Sequence, residues 1–218
     1  ALQHLESVTG NVLIYPTSIF NSINFKSLKT ITGSLISTYN STPMHTLEFP
    51  ALTGVSYVQL TGMKKNTFAK LESCNEISLE DNAMEGFTAL KTAGNLSMRV
   101  TSNGAYDVNF PALTQATNIN FTHQPPSSYG VNIAEFNGSF AKLATVSGLA
   151  MNKGSYADLT FPKLTKIEGS LKTASATNPY DGMTRLDFVG QFSSQNDEFT
   201  NLKNAGPKVL QSAGSVAI

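Results

Sequence analysis

Phe161-Pro-Lys-Leu164-Thr-Lys-Ile167-Glu-Gly169-Ser-Leu171 is one copy of a phrase that recurs along the whole chain. Its skeleton, Phe-x-x-Leu, begins at Phe25, Phe49, Phe68, Phe87, Phe110, Phe140, Phe161 and Phe199, with Leu2 and Leu5 as an N-terminal copy. Six places after each Phe stands a small or apolar residue: Ile31, Val55, Cys74, Ala93, Ala116, Val146, Ile167 and Ala205, with Val8 in the first copy. A repeat of roughly 19–30 residues marks a solenoid, in which each unit buries its apolar face only by stacking on its neighbours.

After the +6 residue come Gly or Asn and then a short alternating stretch, as in Val12-x-Ile14, Val58-x-Leu60, Ile77-x-Leu79, Leu96-x-Met98 and Ile119-x-Phe121. Period two predicts strands with one face buried. The Phe, Leu and +6 positions recur every third residue, which fits neither a helix nor one long strand. They predict a chain that bends around corners. In three copies Pro follows Phe (Pro50, Pro111, Pro162), which suits a corner where no ladder hydrogen bond is needed. Gly or Asn before the alternating stretch predicts the other corner, where positive φ costs little. No stretch shows sustained helical apolar spacing, and Ser, Thr, Asn and Gly are abundant.

The expectation is an all-β fold: a right-handed parallel β-helix, or leucine-rich-repeat-like solenoid, of about nine coils with little helix. Residues 1–218 read as a single domain, because the repeat is uninterrupted. Nine coils stacked roughly 4.8 Å apart make a rod about 40 Å long.

The consensus Phe-Pro-x-Leu-Thr-x-Ile-x-Gly-x-Leu resembles the receptor L domain family, best in Phe25–Leu35 and Phe161–Leu171 and also in Leu5–Ile14. That family supplies ligand-binding lobes of insulin-type and EGF-type receptors and has fungal cell-wall and bacterial surface relatives. The resemblance implies a solenoid with no catalytic residues. The chain lacks the many cysteines of the animal receptors, which implies a microbial, here bacterial, cell-surface member.

Charge is balanced, with 15 basic and 15 acidic residues in 218, so no basic stripe offers itself to nucleic acid. No run of 18 apolar residues predicts a membrane span. The texture, few charges with much Thr, Ser and Asn, points to a secreted or cell-surface location. The one cysteine, Cys74, reads as a buried small hydrophobe. The histidines, His4, His45 and His123, stand apart and read as surface or loop residues, giving no metal site. Sequons at Asn40, Asn95, Asn120 and Asn137 are common by chance in such a composition, and Asn95 and Asn120 fall at strand positions where a glycan is awkward.

The acidic concentration Glu72, Glu76, Glu80, Asp81 and Glu85 lacks the spacing of a calcium loop and has no base or oxyanion partner nearby, so it reads as a solvated face. Asp158, Asp181 and Asp187 share no register. No catalytic residue and no cofactor is expected. Tyr39, Tyr106, Tyr129, Tyr156 and Tyr180 fall in the stretches of variable length that follow the strands. In a solenoid such insertions often form the binding face, and tyrosine offers a rigid amphipathic contact. These five are the candidate ligand-binding residues.

The expected function is a non-enzymatic binding module that recognises an extracellular protein or glycan through one side of the rod and its Tyr-bearing loops. A structural spacer of a larger adhesin is the alternative, and a carbohydrate-active enzyme on a β-helix a third. Terminal coils leave edges open to self-association.

Overall fold

Each Phe-x-x-Leu is a tight turn. In all seven described copies the Leu N–H donates to the Phe carbonyl three residues back, at 3.2–3.4 Å: Phe25/Leu28, Phe49/Leu52, Phe68/Leu71, Phe87/Leu90, Phe110/Leu113, Phe140/Leu143 and Phe161/Leu164. Pro50, Pro111 and Pro162 occupy the second position of these turns, where a fixed φ near −65° fits and no N–H is required. The expected corner is therefore present and built as read.

The computed structural model describes residues 3–15, 22–38, 46–102, 104–124, 134–152, 159–164, 166–173, 191–192, 197–198 and 216–217. The first strands are β1 (Ser7–Val8), β2 (Val12–Ile14), β3 (Ser22–Asn24), β4 (Thr30–Ile31), β5 (Ser34–Ser37), β6 (Thr46–Glu48) and β7 (Tyr57–Thr61). They continue as β8 (Asn66–Thr67), β9 (Ser73–Glu80), β10 (Thr92–Val100), β11 (Gly104–Asn109), β12 (Gln115–His123) and β13 (Ala134–Ser139). The last are β14 (Thr145–Asn152), β15 (Leu159–Thr160), β16 (Lys166–Thr173), β17 (Gln191–Phe192), β18 (Asp197–Glu198) and β19 (Val216–Ala217). There is no helix among the described residues.

Among the described residues every strand pairing is parallel and joins one coil to the next, which makes the fold a parallel β-solenoid. One long sheet runs β2-β5-β7-β9-β10-β12-β14-β16-β18-β19; the smaller sheets β3-β6-β8 and β11-β13-β15 form a second wall. The seven Phe rungs are fewer than the nine coils expected; Leu2 and Phe199, which began the outermost copies, lie outside the described residues.

Register turns the repeat into ladders. Leu35, Val58, Ile77, Leu96, Ile119 and Leu149 pair in succession, as do Leu60, Leu79, Met98, Phe121 and Met151. All of them are buried. The phenyl rings stack from Phe25 to Phe161 with centroids 4.6–5.8 Å apart and planes within 19°. Such pairs add about 0.5–1.5 kcal/mol each beyond the area they bury. One continuous core results, from Ile14 to Leu164.

The second expected corner is present in the first coils, where β1 and β2, and β4 and β5, are separate strands, and is corrected in the later ones. Gly10 does adopt φ 108° between β1 and β2. In β9, β10, β12 and β14, however, a single strand runs from the +6 residue straight into the alternating stretch. Of the two residues between, Asn75 and Glu76 are both exposed, while in the next coil Asn95 is exposed and Gly94 half-buried; the alternation breaks there and the strand kinks without turning. Gly94 is needed there because a Cβ would collide with the Asn75 carbonyl of the coil below.

Candidate functional site

Of the five candidate tyrosines only Tyr106 falls among the described residues; Tyr39, Tyr129, Tyr156 and Tyr180 lie outside them. Tyr106 sits within strand β11, whereas the sequence placed it in a loop. Its ring packs on the core, 6.1 Å from Phe136, and its hydroxyl lies 2.6 Å from Ser102 Oγ. It anchors the Ser102 turn to the core beneath it.

The broadest surface that the fold builds is the outward side of the long sheet. Because β7, β9, β10 and β12 pair without register slip through this stretch, their outward residues form straight rows. One row is Gln59, Ser78, Ser97 and Asn120, extended at the β2 end by Ile36 and Leu13. Beside it runs Tyr57, Glu76, Asn95 and Asn118, and on the other side Thr61, Glu80, Arg99 and Thr122.

Six of the twelve side chains in these rows over β7, β9, β10 and β12 are held by one another. Tyr57 donates its hydroxyl to Gln59 Oε1 at 2.9 Å, and Asn118 Nδ2 donates to Asn95 Oδ1 at 2.8 Å. Partial burial, with the nearby Glu76 carboxylate, raises the Tyr57 pKa. Arg99 and Glu80 neutralise each other at 3.2 Å. The centre of the face is therefore amide, hydroxyl, one tyrosine and the Glu76 carboxylate, with one net negative charge. Towards β2 the character changes: Leu13 and Tyr15 are 52% and 65% exposed.

The acidic concentration does not converge. Glu72 pairs with Lys91 at 2.8 Å, and Asp81, at φ 46°, accepts from the Thr101 N–H at 2.7 Å and from its hydroxyl. Glu76 faces out beside Tyr57. Among the described residues no three His, Cys, Asp or Glu side chains gather in a group able to hold a metal ion. Asp158, Asp181, Asp187, His45 and Asn40 lie outside the described residues.

His123 corrects the surface reading of the histidines. It ends β12 buried, 3% exposed, with Nδ1 accepting the Ala134 N–H at 3.5 Å. It continues an inward row, pairing with Val100, and alternation along Ile119-x-Phe121-x-His123 was the signal that marks it.

The chain is 26% identical over 191 residues to the cell wall protein ecm33 of the fission yeast Schizosaccharomyces pombe. The match covers 85% of this chain and 41% of that relative, so the chain spans well under half its length. That relative is fungal; nothing supports the bacterial origin expected from the sequence. No family model matches, so membership of the receptor L domain family gains no support there. No solved structure matches. No helix among the described residues is long and apolar enough to cross a membrane.

Proposed function

We propose that this chain is a non-enzymatic binding module of the cell surface or cell wall, which recognises an extracellular partner through the outward face of its long sheet. The observation that carries this reading is the face itself: rows of mostly amides and hydroxyls, in register across successive coils, with the Tyr57–Gln59 and Asn118–Asn95 pairs pre-set by hydrogen bonds. Pre-ordered groups lose little freedom on binding. Likeness to a fungal cell wall protein supports the location. Against catalysis stands the dispersal of the carboxylates, each of Glu72, Glu80 and Asp81 being taken up by a Lys, an Arg or a turn.

The test is cosedimentation of the purified chain with washed fungal cell walls. The expected result is saturable retention in the pellet with no release of reducing sugar. A chain that stays in the supernatant overturns the reading in favour of a structural spacer; sugar release overturns it in favour of an enzyme.

A further inference from the structure

Resting on the binding-module reading and deepening it, we infer that the outward face around Tyr57, Gln59, Ser97, Asn95 and Asn118 binds an extended, uncharged, β-linked hexose polymer laid across the strands. Three properties of the face select that ligand. The first is repeat: equivalent side chains recur once per strand, roughly 4.8 Å apart, and an extended β-linked glycan advances by a similar step per sugar. In the middle row, each sugar then meets a neutral hydrogen-bonding side chain on each coil: Gln59, Ser78, Ser97 or Asn120.

The second is chemistry. Gln59, Ser78, Ser97, Asn95, Asn118 and Asn120 offer both donors and acceptors, which suits hydroxyls that do both. Tyr57, half-buried at the side of these rows, supplies a flat apolar surface for a sugar face. The third is charge. Arg99 is paired with Glu80, and Glu76 is the remaining charged group of the three rows over β7, β9, β10 and β12, so an anionic polymer finds no cation to bind. A protein partner fits this centre less well, because protein interfaces bury an apolar or aromatic cluster at their middle, and here Tyr57 is the one aromatic group.

The experiment is native affinity electrophoresis through gels containing a soluble linear β-glucan or its carboxymethylated form. It uses chain whose intact mass shows Asn95 and Asn120 unmodified. The expected result is retardation by the neutral glucan and much less by the charged one. Tyr57→Ala weakens binding about ten-fold, the loss expected for one aromatic contact. Ser97→Arg, which puts bulk and charge in the middle row, abolishes it. Asp107→Asn, on the other wall, binds as the unaltered chain does, and thermal melts show all three variants folded. Retention on cell walls without retardation by neutral glucan overturns this inference and leaves the binding module standing. Loss of both overturns both. Retardation that is equal in Ser97→Arg, or equal for the charged glucan, also overturns it.

Discussion

Cys74 occupies the inward +6 position of its coil, 5% exposed, with its thiol directed at the Ser56 and Glu76 carbonyls at 3.4 and 3.2 Å. The sequence placed it correctly, because Val, Ile, Ala and Cys alternate at +6 and all are small enough to sit beside the Leu ladder. Burial pushes the thiol from 9.0 up to about 11, since a thiolate there loses its hydration. A raised pKa means that the native state holds the proton more tightly than the unfolded chain does. Stability is thus complete below pH 9 and falls as pH rises towards 11, by at most about 3 kcal/mol. Comparing urea midpoints of the unaltered chain and Cys74→Ala at pH 8 and pH 10.5 isolates this group, because all other titrations are shared. The unaltered chain is expected to lose more stability over that interval than the variant. Equal losses would show that the thiol is not desolvated.

At the scale of elements, the turn was legible and the kink was not. Phe-x-x-Leu with an occasional Pro at its second position is a turn written in residue types, and the hydrogen bond from Leu N–H to Phe carbonyl closes it in every described coil. Gly and Asn after +6 were read as a second turn because both residues accept positive φ. Their use in β10 is different: Gly94 lets two backbones approach, and Asn95 faces solvent in a strand that continues. Sequence alone does not separate these two uses of Gly, since the deciding contact is with Asn75 one coil away. The turn reading carries a stability prediction. Ala69 is exposed at the second position of the Phe68–Leu71 turn, equivalent to Pro50, Pro111 and Pro162. Ala69→Pro is expected to stabilise the chain by about 0.4–1 kcal/mol, through loss of freedom in the unfolded state. Chemical denaturation measures it, and a destabilised variant would mean that this turn differs from its three proline-bearing counterparts.

For the whole molecule, the ladders explain both what the sequence revealed and what it hid. Inward residues announce themselves by repetition of Phe, Leu and Val, so the core was legible nearly residue by residue. Outward rows carry no such constraint: Gln59, Ser78, Ser97 and Asn120 become a surface only after register aligns Val58, Ile77, Leu96 and Ile119. Attention to variable stretches led instead to five tyrosines, of which Tyr106 packs partly on the core and the other four lie outside the described residues. The same ladders make stability uneven along the rod, because each coil is held mainly by its neighbours. At the β2 end, Leu5, Val8 and Val12 are only partly buried, while their successors Leu28, Ile31 and Leu35 are 0–2% exposed. Among the described residues, β2 is the last strand of the long sheet at this end, and β1 and β3 are the last of theirs. Strands β9, β10 and β12 are flanked on both sides and carry fully buried Ile77, Leu96 and Ile119. Native-state hydrogen exchange is therefore expected to find the amides of the β2–β5 pair opening first, with those of β10 protected roughly 100-fold longer or more. Equal protection along the rod would mean that the coils open as one cooperative unit, and that the incomplete burial of Leu5, Val8 and Val12 costs the first coil nothing.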